Sequence, residues 1–199
     1  MDFNTSVDLC KGFESIVFDS QYTFRKILKS MSMPGKIENF DLELYPPYPL
    51  YPSTGAAVLS LFGPDTIFFS DHESDEIDSW IKFHCGSKPE AEKRKSDFAL
   101  ITSHNDLDIN SFYPGSLKRP DISTTFIVQV KNLTNNSDKN SIKLTGPGIK
   151  DYSILQIAGF DQGILEQRNK YKFPCGFDFI FCSPEGFACI PRTTSTEGF

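Results

Sequence analysis

The sequence is poor in the residues from which metal and catalytic centres are most often built. Histidine occurs 3 times in 199 residues, tryptophan once and methionine 3 times. His72, His84 and His104 are too scattered to form a helical metal pair, so no metal site is expected. The 5 cysteines, at positions 10, 85, 175, 182 and 189, are odd in number and contain no CxxC spacing, which speaks against a disulfide framework. Reduced core thiols in a cytoplasmic protein are the better fit. No apolar run approaches the roughly 20 residues that a membrane-spanning helix needs. The opening stretch MDFNTSVDLCKGFESIVF carries acids where an export signal would carry positive charge, so the Asn-x-Ser/Thr tripeptides at Asn4, Asn132 and Asn135 are expected to stay unglycosylated. Positive charge is also in deficit: 20 Lys and Arg face 26 Asp and Glu, a net charge of -6. Non-specific attraction to nucleic acid or to an anionic membrane is therefore not expected. Finally, GxSxG, Walker A, HExxH and GxGxxG signatures are all missing.

What is present is an ordinary globular composition, with 39% hydrophobic and 14% aromatic residues, enough for one domain spanning residues 1–199. FRKILKSMSMPGK, from Phe24, has helical spacing: Phe24, Ile27, Leu28 and Met31 share one face and Arg25, Lys26 and Lys29 the other. Asp19 or Ser20 is the expected cap, and Pro34-Gly35 the stop. The apolar stripe is expected to face the core. Arg25, beside it, is expected to be partly buried against a carboxylate or an anion. YPPYPLYP, residues 45–52, reads as an extended surface segment because its prolines forbid regular helix. Further helices are expected from Ser53 through Leu61, from Ser74 through the Trp80 and His84 region, and over Asp161 to Tyr171. TIFFS (66–70), FALIT (98–102) and TTFIVQV (124–130) read as buried strands, and NLTNNSDKNS (132–141) as a surface loop. This interleaving predicts a mixed α/β sheet covered on both faces, with an antiparallel pair at the C-terminus.

That pair is FDFIFCSPEGFACI. Alternation places Phe177, Phe179 and Phe181 on one face and Asp178, Ile180 and Cys182 on the other. A three-residue loop with Gly186 in the left-handed region pairs Ser183 with Phe187 and sets Asp178 opposite Arg192. A two- or four-residue loop sets Asp178 opposite Pro191 instead. IPRTT then brings Arg192, Thr193 and Thr194 together, a set suited to phosphate or carboxylate, with Asp178 either aiming Arg192 or only pairing with it. LTGPGI, with Thr145, Gly146 and Gly148, is either a plain turn or a nest for phosphate. His84, at a helix end, either satisfies terminal carbonyls or serves as a ligand.

In chain order, SQYTFRKILKSMSMPGKI, KFHCG, KLTGPGI and FPCGFDFIFCSPEGFACIPRTT together resemble the PhnH family, the H subunit of the bacterial carbon-phosphorus lyase core complex. The resemblance spans nearly the whole chain. It implies a homodimer and a complex with the G, I and J subunits, in which formation of α-D-ribose 1-phosphonate 5-triphosphate from a nucleoside triphosphate and a phosphonate is supported. It also implies a three-layer α/β/α fold like that of pyridoxal-phosphate transferases but with no cofactor, and a non-catalytic or co-catalytic role. A different class of function is a stand-alone small-molecule enzyme, or vestigial transferase, with a cleft around Arg25, His84 and Arg192. The Pro/Tyr-rich run and the 132–141 loop depart from the family pattern.

Overall fold

A computed structural model describes residues 10–104, 107–138 and 140–198; Asn4 and the first half of the stretch read for an export signal lie outside them. Helix α1, Ile16–Ser32, is free of proline and glycine and begins earlier than expected. Asp19 lies inside its first turn and reaches back to accept the Ser15 amide at 2.8 Å. The helix stops where Pro34 follows, with Gly35 at φ +85° turning the chain. The expected inward stripe holds only in part: Ile27 is buried, with Thr23 and Ser30, and Met31 packs against the core, while Phe24 and Leu28 are 46% and 54% exposed. Positions 23, 27 and 30 also have helical periodicity, and Ser30 fits the inner face because its hydroxyl donates to Lys36 O at 2.9 Å and accepts the Cys189 amide at 2.8 Å.

The edge strand β1, Glu38–Asn39, leads through the tyrosine and proline run to helix α2, Pro52–Leu61. That run is anchored at its end: buried Gln129 accepts from Tyr51 N and Thr54 Oγ1 and donates to Pro49 O. Strand β2, Ile67–Ser70, is followed by helix α3, Asp75–Cys85, with Ser74 capping it and Gly86 ending it at φ +73°. Then come β3 (Lys88–Pro89), β4 (Phe98–Ile101) and β5 (Thr125–Gln129). Strands β6 (Asn132–Thr134), β7 (Ser141–Thr145) and β8 (Ser153–Ala158) precede helix α4, Gln162–Arg168. The expected 132–141 loop is therefore a strand followed by a turn. The chain ends with β9 (Asp178–Ser183), β10 (Gly186–Ile190) and β11 (Ser195–Gly198).

Seven strands form a mixed sheet in the order β1-β10-β9-β5-β4-β2-β3, in which β9, β5, β4, β2 and β3 are mutually parallel and β10 runs antiparallel to both of its neighbours, β9 and β1. The sheet separates two cores. Helices α1, α2 and α3 cover one face, where Ile27, Ala57, Trp80, Ile180 and Cys182 pack together. The other face, expected to be helical, is covered by the four-stranded sheet β11-β7-β8-β6 with α4, so Phe177, Phe179 and Phe181 meet Leu144, Leu155 and Leu165. The alternation read from the sequence puts both rows on their observed faces.

The hairpin register differs from the expected one. Gly186 pairs with Ser183, and Ile190 with Phe179, so the loop is the two-residue Pro184-Glu185. Continued by one residue, the register sets Asp178 opposite Pro191. The reason lies outside the hairpin: Gly186 does not take a positive φ. It is glycine because β1 crosses so closely that a methyl group there would collide with the Glu38 carbonyl oxygen.

Candidate functional site

Proline cannot extend the β10 ladder, and at Pro191 the chain turns back, with Thr194 N bonded to Pro191 O at 2.9 Å. This turn, not strand register, carries Arg192 to Asp178. Asp178 Oδ1 accepts the Arg192 amide at 2.6 Å, and Oδ2 accepts Nε at 3.0 Å and also Nη2. Arg192 Nη1 donates to Pro120 O at 2.7 Å and to Pro174 O at 3.4 Å. The two side chains are only 16% and 20% exposed. One guanidinium thus ties strand β9, the C-terminal turn and two distant loops to a single carboxylate.

A second arginine, Arg168, lies beside it and escaped the sequence reading. It is buried on the inward face of α4 with Ile164 and Leu165. Its guanidinium donates to Phe177 O at 3.1 Å, Thr194 O at 2.9 Å, Asn169 Oδ1 at 3.3 Å and Pro191 O. Burial pushes this guanidinium down to about 10; the Asp178 charge opposes that shift and Arg192 adds to it. The only hint in the sequence is that Arg168 stands one turn after two aliphatic residues in a helix that docks against the sheet.

LTGPGI closes the same region. Thr145 pairs with Ser195, and a methyl group at Gly146 would lie 2.9 Å from Thr193 O. Gly148 serves another contact: at φ +83° it passes so near Ser32 that a side chain would strike the Ser32 carbonyl oxygen. Thr193 is exposed, whereas Thr194 is buried and its hydroxyl has no hydrogen-bond partner. Arg192, Thr193, Thr194, Asp178, Thr145 and Gly146 are therefore brought together, and Gly148 ties the same loop to the end of α1.

Arg25 and His84 lie elsewhere. Arg25 is exposed on α1 and forms no ion pair among the described residues, so its expected partial burial is corrected. Its neighbours are committed: Lys26, Lys29 and Lys36 approach the Glu38 carboxylate at 3.7, 3.3 and 3.0 Å, and that carboxylate is 7% exposed. Burial raises the Glu38 pKa, but Lys36 and Lys29 outweigh it and hold the carboxyl below its ordinary value. Two of the three cations on α1 thus fold the edge strand onto the helix. His84 does not serve the helix-terminal carbonyls, since Gly86 caps the end with its amide on Lys82 O. Its Nε2 instead meets Cys10 O at 3.1 Å, and Trp80 Nε1 donates to the same oxygen at 2.9 Å. His84 lines a hollow of about 770 Å³ with Gly12, Phe13, Tyr45 and Phe83; neither Arg25 nor Arg192 lines it.

Among the described residues no group of three His, Cys, Asp or Glu side chains is arranged to hold a metal ion. The cations around Asp178 and Glu38 are already matched by acceptors within the fold. The arrangement fixes the C-terminal turn and the edge strand as rigid surfaces.

Comparison with known proteins gives this geometry a setting. The family described as bacterial phosphonate metabolism protein (PhnH) matches residues 11–197. The chain is 30% identical over 191 residues to the alpha-D-ribose 1-methylphosphonate 5-triphosphate synthase subunit PhnH of Rhizobium meliloti (strain 1021), covering 94% of each. It is 37% identical over 82 residues to a candidate C-P lyase subunit protein, HtxG, of Stutzerimonas stutzeri, covering 40% of each.

Proposed function

The chain belongs to the PhnH family of bacterial phosphonate metabolism proteins, and from this premise we propose that it is the H subunit of a carbon-phosphorus lyase complex. In that role it supports formation of α-D-ribose 1-phosphonate 5-triphosphate from a nucleoside triphosphate and a phosphonate. The observation that carries the reading is the match over 94% of the chain to a relative named as a subunit of the corresponding synthase. The interior supports a structural or co-catalytic share of the work. Arg192 and Arg168 spend their donors on Asp178 and on backbone carbonyls, and so present a shaped, rigid surface.

On this proposal the chain is one folded unit that forms a homodimer, assembles with the G, I and J subunits, and works in the cytoplasm. No helix among the described residues is long and apolar enough to cross a membrane. On the same reading it is a relative in fold of the pyridoxal-phosphate transferases, without the cofactor, although α1, α2 and α3 cover only one face of the mixed sheet and a four-stranded sheet with α4 covers the other. The alternative, a small-molecule enzyme with a cleft around Arg25, His84 and Arg192, gains no support from the geometry. Arg25 is on the outer face of α1, His84 is bound to the Cys10 carbonyl, and Arg192 is bound to Asp178.

Affinity purification tests the proposal. A tagged copy expressed in its own cells on a phosphonate is expected to retain the G, I and J subunits at fixed stoichiometry through a high-salt wash. Recovery of the tagged chain alone, from cells shown to contain those subunits, contradicts it.

A further inference from the structure

Strands β2 and β4 are parallel neighbours in the seven-stranded sheet, and the chain leaves their carboxyl ends towards opposite faces. After β2 it passes into α3, whose Ile77, Trp80 and Ile81 pack into the helical core. After β4 it crosses to the other face, where Ile109 and Phe112 join the core between the two sheets. Such a divergence opens a crevice beyond the strand ends, the place where open α/β sheets receive their ligands. A cavity of about 300 Å³ lies there, lined by Phe69, Asp71, Lys93, Ile101, Ser103 and Leu107.

Its walls carry two opposite charges held apart. Asp71 directly follows β2, and its carboxylate is fixed in place: Oδ1 accepts Thr102 N at 2.8 Å and Thr102 Oγ1 at 3.0 Å, and Oδ2 accepts Ser103 N at 2.7 Å. With two lone pairs on each oxygen, Oδ1 is filled and Oδ2 keeps one place. Lys93 belongs to the one-turn helix Lys93–Lys95 and is half-buried. Its ammonium lies over the rings of Phe69 and Phe112, 5.1 and 5.6 Å from their centres. Lys95, two residues on, is bound to Glu92, whereas among the described residues Lys93 pairs with no carboxylate, Asp71 included. One cavity with an apolar floor is thus lined by a carboxylate with an open acceptor position and by an ammonium whose donors have no acceptor in the fold.

We propose that this cavity binds a small zwitterion. The ligand's ammonium sits on Asp71 Oδ2, its anionic group, a carboxylate or a phosphonate, on Lys93 and the Ser103 hydroxyl, and its short carbon chain on Phe69, Ile101 and Leu107. The volume is at the low end for small-molecule sites and limits the ligand to a few heavy atoms. A lone anion would satisfy Lys93 but set its charge beside that of Asp71, and a lone amine would meet the converse conflict with Lys93. Only a ligand that carries both charges matches both walls. This binding is a property of the chain itself and does not depend on its place in a complex.

The test uses the full chain, isotopically labelled and followed by amide NMR at constant ionic strength. The probes are β-alanine and 2-aminoethylphosphonate, which have the same two-carbon chain and differ in the anion. Saturable shifts centred on the amides of Asp71, Lys93, Ser103 and Leu107 are expected with at least one of them, and the tighter binder identifies the anion. Propylamine and ethylphosphonate, each with one of the two charges, are expected to bind about 10-fold more weakly or worse. Lys93→Met keeps an apolar stem over Phe69 and lies outside the buried core, so the Tm is expected to hold while zwitterion binding falls to the level of propylamine. Lys93→Arg is expected to retain binding. Absence of saturable shifts at these residues with both zwitterions overturns the proposal. So does binding of propylamine or ethylphosphonate as tight as that of the zwitterions, and so does undiminished binding by Lys93→Met.

Discussion

Replacing Arg192 with methionine separates a joint that holds the fold from a hand held out to a ligand. Methionine keeps much of the stem volume and removes the guanidinium. The backbone amide of residue 192 still serves Asp178 Oδ1, but Oδ2 loses Nε and Nη2, and Pro120 O loses its donor. Breaking a fully buried pair costs about 3 to 5 kcal/mol. Here the side chains are 16% and 20% exposed, so water offsets part of the loss, and about 2 to 4 kcal/mol is expected. For a chain of this length that corresponds to a fall in Tm of about 5 to 15 °C. Urea titration with unchanged m-value provides the free energy, and calorimetry the Tm. The variant is expected to assemble with its partners below its transition. A loss below about 1 kcal/mol, as for an exposed pair, refutes the structural role. Lost assembly at undiminished stability means that Arg192 is offered outward after all.

Three further outcomes follow from the same geometry. Glu38 is held below its ordinary pKa in the folded state, so its stabilisation is present above about pH 4.5 and is lost as pH falls through the folded value. Glu38→Gln is therefore expected to cost about 1 to 2 kcal/mol at pH 7, with the gap to wild type closing at lower pH in parallel denaturant titrations. Gly186→Ala places a methyl group against the Glu38 carbonyl oxygen and is expected to cost about 1 to 3 kcal/mol, with amide exchange accelerated first in Glu38 and Asn39; unchanged protection there contradicts the close-approach reading. Burial pushes the Cys85 thiol up to about 11 and the Cys189 thiol up to about 12, and holds the Cys182 thiol well above its ordinary value. Thiol labelling of the native protein at pH 8 is thus expected at Cys10 and Cys175 only, and rapid modification of Cys182 would show that the core is open.

The sequence revealed the central strands because their signal is local. Phe177, Phe179 and Phe181 alternate with Ile180 and Cys182, and a period of two has one structural meaning in a sheet whose faces are both covered. Where the deciding contact came from far along the chain, the reading failed. SPEG satisfied the rule for a bulged three-residue loop, yet Gly186 answers to Glu38, which is distant in sequence and carries no strand signal of its own in a two-residue β1. On α1 hydrophobicity placed Ile27 and Met31 correctly but turned Phe24 and Leu28 inward as well. The buried row is rotated towards Thr23 and Ser30, because Ser30 is drawn inward by hydrogen bonds to Lys36 and Cys189 that no local pattern records. At the C-terminal turn the pairing of Asp178 with Arg192 was legible while its cause was not. The turn at Pro191 makes the contact in a register that strand counting assigned against it. Arg168 stayed hidden since its partners are backbone carbonyls, which leave no trace in a sequence.

The claim that the chain is a working subunit of phosphonate catabolism is tested most directly by reconstitution. The purified partner subunits of the complex from the same source, given a nucleoside triphosphate and methylphosphonate, are followed by phosphorus NMR with and without this chain. Appearance of a ribose 1-phosphonate 5-triphosphate resonance that depends on adding the chain is the expected result. The same product at the same rate without it contradicts the claim.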